Sequence, residues 1–501
     1  MKKLVDILKG IEYAAERDIR ELYIDAVCND SRKAAEGSLF VAIVGAVHDS
    51  HDFAIGAYEG GCRIFLCERK IDLPDDAYII ITPDTRKALA VASAAIYENP
   101  ADKLHIIALT GTKGKTTTAY LIYSLLQASG RSAAYIGSNG IDYAGLHFDT
   151  ANTTPESCEL HRYFRDMADA GVEYVCMEIS SQALYMSRVY GITFETVVFT
   201  NLASDDHIGP SEHPSYEHYR DSKRRLFFEH NAKNMVYNAD DSEAAYMVNG
   251  ELELYPVSLE GAGSFNAENI EQFKDGGFLG ISFDMKTSAE SYKVKTRSPG
   301  RFSAYNAMIA LVCARLCGVS FSRGAELLSG LCVLGRFECV DLFDDRSFII
   351  DYAHNGFSLL SVLTALKAYP HGRLICLFGS VGGRTKSRRA ALGKVAAELC
   401  DYSVITSDNP DFEPPMEIID EIAREFEAAG KDSYIKIADR EEAIRHVLEY
   451  SRPDDIVLLA GKGHEAYQLI EGKKVRFSEK EILLKYAIEA VGKSAVPSET
   501  K

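Results

Sequence analysis

Short, nearly uninterrupted apolar runs recur along this chain, and between them apolar residues return at helical spacing. His105–Leu109, Val175–Ile179, Val197–Asn201 and Asn234–Ala239 read as a first series of buried strands. Leu121, Ile122, Leu125 and Leu126 share one helical face after the first run. Leu160, Tyr163, Phe164 and Met167 do the same before the second, where Gly171 ends the helix. Residues 251–300 alternate over short stretches with Gly-Gly turns, which predicts an antiparallel excursion, and Pro299-Gly300 leads into a helix near Ala304–Leu316. The alternation then restarts with Phe348–Ile350, Leu374–Phe378, Ser403–Thr406, Ile435–Ile437 and Ile456–Ala460, a second mostly parallel sheet covered on both faces. The first hundred residues mix short strands and helices and close at Asn99-Pro100. The expected fold is α/β in three domains. Residues 1–100 form a smaller mixed N-terminal domain, 101–331 a central P-loop-type, mostly parallel sheet, and 332–501 a Rossmann-like parallel sheet.

A length of 501 residues with 47% hydrophobic content is ample for several buried cores. Fifty-five basic against 73 acidic residues leave a net charge of −18, which argues against a nucleic-acid or anionic-membrane surface. No apolar run nears the length of a membrane span, and the N-terminus breaks into charge too early for a signal peptide. Eleven cysteines lie scattered without a C-x-x-C pair, and Cys313 and Cys317 read as core thiols. A reduced cytoplasmic enzyme, monomeric and not inserted in a membrane, is the expectation.

The chemistry concentrates at strand ends, where ligands gather on such sheets. The segment Ala108-Leu-Thr-Gly-Thr-Lys-Gly-Lys-Thr-Thr-Thr118 lies between a strand and a helix, the setting of a phosphate-binding loop. Gly111 and Gly114 let backbone N–H groups turn toward phosphate oxygens, and the helix start adds positive potential. Lys115 can neutralise phosphate charge and the Thr116 hydroxyl can sit on Mg²⁺. The alternative is a glycine-rich turn without a ligand. Leu109 stands where the common form of the loop has its first glycine. Glu178 ends a buried run and needs a cation or metal there, an ordinary salt bridge being the plainer alternative. His207 follows another strand, and a satisfied structural histidine competes with a metal ligand. Lys223 lies on a basic amphipathic helix, where a solvated lysine is the default.

Eleven short motifs in order make the chain resemble the Mur ligases, ATP-dependent amide-forming enzymes of peptidoglycan precursor synthesis, and most of all the MurE type. The carriers are Asp30-Ser-Arg32, Gly111 through Thr117, Asn152-Thr-Thr-Pro155, Glu178-Ile-Ser-Ser181, Thr200-Asn-Leu202 with Asp206-His207, Tyr219 through Lys223, Asn238-Ala-Asp-Asp241, Gly335-Arg336, Asp351-Tyr-Ala-His354, Asp408-Asn-Pro410 and Ala460-Gly-Lys-Gly-His-Glu465. The resemblance implies that a carboxylate is activated by ATP as an acyl phosphate, then attacked by an amino group. It places Gly111, Thr112, Lys113, Gly114, Lys115, Thr116 and Thr117 on the ATP phosphates and Asn306 on the adenine. Arg336 and Asp351 would close over the nucleotide. It makes Lys115, Glu178, His207 and Lys223 catalytic, with two Mg²⁺ sites held by Thr116, Glu178, His207 and Lys223, the last as N6-carboxylysine. UDP-N-acetylmuramoyl-L-Ala-D-Glu would meet Ser31, Asn152, Thr153, Thr154, Ser180 and Arg188. Ala46-Val47 and Met186 depart from the uracil and pyrophosphate residues of some relatives. The N-terminal, central and C-terminal domains would bind UDP, ATP and the incoming amino acid respectively.

The same resemblance assigns Arg384, Asp408, Asn409, Asp411, Gly461 and Glu465 to the incoming diamino acid. Enzymes that add meso-diaminopimelate typically carry arginine where Asp411 stands. An aspartate there repels a distal carboxylate and attracts an ammonium, so L-lysine or ornithine is expected ahead of meso-diaminopimelate. The alternative is that Asp411 points to solvent and Arg388 or Arg389 grips the carboxylate. Folylpolyglutamate synthetases are the more remote reading, and Asp30-Ser-Arg32 and Asn152-Thr-Thr154 count against them. A nucleotide-binding scaffold without catalysis would not need Lys115, Glu178, His207 and Lys223 together.

Overall fold

The computed structural model describes residues 1–45, 48–203, 208–209, 212–383 and 385–494, with side chains to residue 489. The chain divides into two compact units, residues 1–266 with 308–321, and residues 267–307 with 322–501.

The first unit holds the antiparallel pair Lys2–Lys3 and Tyr23–Ile24 and two larger sheets. Near the N-terminus, Ala26–Cys28, Ser38–Val41, Ile64–Cys67 and Tyr78–Ile81 run parallel, with Ala14–Ala15 antiparallel at the edge. The larger sheet orders its strands Leu146–Phe148, Gly140–Tyr143, Ala133–Gly137, Tyr174–Glu178, His105–Thr110, Phe194–Phe199, Ala232–Asn238 and Glu253–Ser258. Those from Ala133–Gly137 to Glu253–Ser258 pair in parallel, and the apolar runs of Ala133–Gly137, Ile106–Leu109 and Val175–Met177 are fully buried. Glu253–Ser258 is the correction to the sequence reading: it extends the parallel sheet instead of opening the antiparallel excursion. It lies between Ala232–Asn238 and Phe265–Asp275, parallel to both, and is exposed at its first residues and buried at Val257 and Ser258.

Helices cover this sheet where periodicity puts them. Ser157–Asp169 buries Leu160, Tyr163, Phe164 and Met167 and stops before Gly171, whose φ of +74° a side chain would resist. Lys115–Ala128 starts directly after Gly114, at φ +82°. Tyr216–Phe228 is capped by the Ser215 hydroxyl, which accepts from the His218 N–H.

The second unit contains the antiparallel pair Phe278–Lys286 and Ser291–Thr296. It also contains a six-stranded sheet ordered Glu338–Val340, Ser347–Asp351, Ile456–Ala460, Leu374–Phe378, Tyr402–Ile405 and Tyr434–Lys436. All but the first strand are parallel, and Ile456–Ala460 lies at the centre with every residue buried. The hairpin Tyr467–Ile470/Lys473–Arg476 follows the central strand.

Candidate active site

In the first unit the phosphate-loop segment closes on the chain after Phe194–Phe199. Thr112 N–H donates to the Asn201 carbonyl at 2.8 Å, and Lys113 N–H donates to Asn201 Oδ1 at 2.9 Å. The Thr200 hydroxyl and the Asn201 amide both donate back to the Lys113 carbonyl. Gly111 sits at φ +150°, and a Cβ there would collide with Thr200 Oγ1, so the close approach of the two segments requires glycine. Lys115 folds over the loop, donating to the Gly111 carbonyl at 2.8 Å and the Thr112 carbonyl at 3.1 Å.

Glu178, at the end of Tyr174–Glu178, is fully buried. Its Oε1 accepts from the Tyr135 hydroxyl at 2.6 Å and the Ser138 N–H at 2.9 Å, and its Oε2 accepts from Thr116 Oγ1 at 2.9 Å. These bonds offset the desolvation of the carboxylate and aim one oxygen at the first turn of the loop helix. Thr154 Oγ1 donates to the Glu178 carbonyl and accepts from the Ser180 N–H, while Thr153 Oγ1 lies 3.1 Å from Ser138 Oγ. Thr153, Thr154 and Ser180 thus gather around Glu178, whereas Asn152 is exposed. Gly137 leaves room for this cluster, since a Cβ there would strike Glu178 Oε1 and the Tyr135 hydroxyl.

Lys223 is 1% exposed, which removes the solvated-helix alternative. Its Nζ donates to the Gly111 carbonyl at 2.8 Å and stands 4.5 Å from the Tyr219 ring centroid. Lys115 and Lys223 therefore bring two ammonium groups to one carbonyl oxygen.

Arg188 is buried, pairing with Glu156 at 2.8 Å and donating to the Thr154 carbonyl at 3.0 Å, so it braces the 152–156 loop from below. Glu156 also pairs with Arg86, at 3.3 Å. Ser31 opens a short helical turn in which Asp30 accepts from the Arg32 N–H and pairs with its guanidinium. His207 and Ala46-Val47 lie outside the described residues.

The second unit carries the remaining candidates. Asp351 Oδ1 accepts from the Ala353 N–H and Oδ2 from the Phe337 N–H, both at 2.8 Å, tying two strand-end loops together. The Arg336 guanidinium stands 4.9 Å from the Tyr352 ring. Burial, reinforced by the charge of Glu465, pushes the Tyr352 hydroxyl up to about 12. Asn306 is buried in Phe302–Leu316. Asp408 and Asn409 are buried beside Glu465, with Asn409 Nδ2 donating to Glu465 Oε2 at 2.9 Å. Gly461, at φ +112°, lets its loop pass so close that a Cβ would lie 2.9 Å from Asp408 Oδ2. Asp411 takes a left-handed φ of +53°, and its Oδ1 accepts from the Gly472 N–H at 2.7 Å, clamping the hairpin turn. Arg384 lies outside the described residues. Of the alternative arginines, Arg389 is held by Glu413 and Glu421, and Arg388 donates to the His354 carbonyl.

Sequence reasoning missed Tyr135, Ser138, Tyr219 and Lys462. Tyr135 and Ser138 flank the end of an apolar strand before the Gly137 turn, a signal the strand-end rule could have caught. Lys462, read only as a motif letter, is completely buried among the acidic groups of the second unit.

Two family descriptions match the chain: Mur ligase middle domain over residues 109–314, and Mur ligase, glutamate ligase domain over 335–463. A UDP-N-acetylmuramoyl-L-alanyl-D-glutamate--2,6-diaminopimelate ligase of Clostridium perfringens is 35% identical over 488 residues, covering 96% of this chain and 98% of that protein. The chain belongs to the Mur ligase family. A Clostridium botulinum protein of the same name is 36% identical over 486 residues, covering 95% of this chain and 98% of the relative. A solved structure of a ligase so named aligns with a TM-score of 0.70 at 28% identity, covering 98% of this chain and all of that one. The two matched ranges take in the phosphate loop, Glu178 and Lys223 in the first, and Asp351, Asp408, Asn409 and Gly461 in the second.

Proposed function

We propose that the chain is an ATP-dependent ligase that joins a diamino acid to the D-glutamyl carboxylate of UDP-N-acetylmuramoyl-L-Ala-D-Glu, releasing ADP and phosphate. The observation that carries this reading is the strand–loop–helix in which Thr116 meets the buried Glu178 carboxylate while Lys115 and Lys223 converge on the Gly111 carbonyl. Such a site binds the terminal phosphates of ATP and favours attack by a carboxylate oxygen on the γ-phosphorus. The bond to ADP breaks, an acyl phosphate forms, and the amine then displaces phosphate from the carbonyl carbon as it loses a proton. Lys115 holds the transferring phosphoryl group, and Gly111 through Thr117 present backbone donors to the phosphates.

Oxygen donors around Thr116 and Glu178 suit Mg²⁺. As an ammonium Lys223 cannot ligate a cation. As N6-carboxylysine it supplies two oxygens, so we assign it with Glu178 and His207 to a second Mg²⁺. When bound, Mg²⁺ would screen repulsion between substrate carboxylate and phosphate. Ser31, Asn152, Thr153, Thr154, Ser180 and Arg188 are the proposed nucleotide-sugar residues. Asn306, Arg336 and Asp351 are proposed for the nucleotide, and Arg384, Asp408, Asn409, Asp411, Gly461 and Glu465 for the amino acid. Functional segments 1–100, 101–331 and 332–501 and a cytoplasmic setting are part of the same proposal.

For the added residue we propose L-lysine, because Asp411 stands where an arginine is expected for diaminopimelate and Arg389 is already held by two glutamates. The second reading, meso-diaminopimelate, is favoured by the names of relatives at 35% and 36% identity. Parallel assays of phosphate release with L-lysine, L-ornithine and meso-diaminopimelate decide between them. Release that needs both the UDP-muramoyl dipeptide and a diamino acid is expected, with L-lysine preferred. A preference for diaminopimelate overturns the reading of Asp411, and release independent of both co-substrates overturns the ligase reading.

A further inference from the structure

Lys462 follows the central strand of the second unit and has no solvent exposure. Its Nζ donates to Asn409 Oδ1 at 2.8 Å and Glu465 Oε2 at 2.9 Å, and stands 3.4 Å from Asp408 Oδ1. Three acceptors match the three protons of an ammonium. Asn409 is held in turn, its Oδ1 also accepting from the Leu469 N–H and its Nδ2 donating to Glu465 Oε2. Glu465 Oε2 thus receives two donors, whereas Oε1 accepts no hydrogen bond among the described residues, and the side chain keeps 15% exposure.

The charge count is instructive. Beneath this group the buried Arg440 pairs with Glu479 at 2.8 Å and donates to the Ser407 and Ala460 carbonyls. That pair balances itself. Lys462 then faces two carboxylates, Asp408 and Glu465, and among the described residues neither has a second cation within ion-pair distance. Buried charge in excess is costly until a partner arrives.

We propose that Lys462 is a positioning residue of the amino-acid site: by neutralising one carboxylate and pinning Glu465 through Oε2, it leaves Oε1 and one unit of negative charge for an ammonium group of the incoming amino acid. The inference rests on the ligase reading above. With methionine at 462 the volume is kept but Glu465 loses its strongest tether, and two buried carboxylates repel. The preorganised oxygen is lost with it.

The test is steady-state phosphate release by the full chain carrying Lys462→Met, each substrate varied in turn, with the melting midpoint recorded. The diamino-acid KM is expected to rise roughly 10- to 100-fold, the loss of one charge-assisted contact. The KM values for ATP and for UDP-muramoyl dipeptide are expected to stay within about twofold, the bound set by additivity between separate sites. Glu465→Gln is expected to raise the same KM, and the double variant to lose no more than the worse single one, because the two act as a unit. An unchanged diamino-acid KM, a parallel rise in all three KM values, or strictly additive losses each overturn the proposal. Should Lys462→Met not fold, Lys462→Gln, which retains donors for Asn409 and Glu465, carries the same comparison. A wild type that turns over no diamino acid overturns the ligase reading and this inference together. A competent wild type with an indifferent Lys462 overturns the inference alone.

Discussion

At the scale of single residues, the informative fact is the shared acceptor of Lys115 and Lys223. An exposed helix lysine would be worth little, but Lys223 is buried against Tyr219 with its nitrogen on the carbonyl that also takes Lys115. On the proposed reading, conversion to a carbamate would make Lys223 a cation ligand. Wild-type enzyme prepared and assayed in CO₂-depleted buffer is therefore expected to lose most of its turnover, and added bicarbonate to restore it. Lys223→Ala should remain at least about a thousandfold slower with bicarbonate present, the scale expected for loss of an electrostatic stabiliser at the reacting phosphate. Turnover indifferent to CO₂ returns Lys223 to a purely structural role.

At the scale of elements, Ser157–Asp169 carries a testable burden. His161 is buried there against Phe164, and among the described residues neither ring nitrogen has a hydrogen-bond partner. Burial lowers its pKa from about 6.5 to about 4. The folded state thus binds a proton less readily than the unfolded one. Its contribution to stability is complete above pH 6.5 and is lost as pH falls from there toward 4. Two and a half units correspond to an upper bound of about 3 kcal/mol. Urea unfolding at pH 8 and pH 5 should show part of this loss in the wild type, and His161→Leu should reduce it by on the order of 1–2 kcal/mol. Equal pH slopes in the two proteins would remove His161 as the cause.

At the scale of the whole molecule, the phosphate loop lies in one unit and the Asp408–Glu465 cluster in the other, while Asn306, Arg336 and Asp351, proposed for the nucleotide, lie in the second. Mg-ATP at about a hundredfold over its Kd is expected to add about 2.7 kcal/mol to the unfolding free energy, seen as a higher melting midpoint. EDTA should abolish that gain while sparing the gain from UDP-muramoyl dipeptide. An ATP-induced rise that survives EDTA would argue against metal at Thr116 and Glu178.

The strands, most helices and the phosphate loop were legible in the chain itself, because buried parallel strands write themselves as continuous apolar runs and a loop such as Gly111–Thr116 is local. Glu253–Ser258 departs from that reading because its exposed first residues break the apolar run, and only its neighbours on either side decide its direction. The partners of Glu178 come from residues 116, 135 and 138, and those of Lys462 from residues 408, 409 and 465. Such constellations have no spacing to read. Periodicity determined which residues are buried, and tertiary packing alone decided which buried charges face one another, since desolvation and pairing depend on distances in space rather than along the chain.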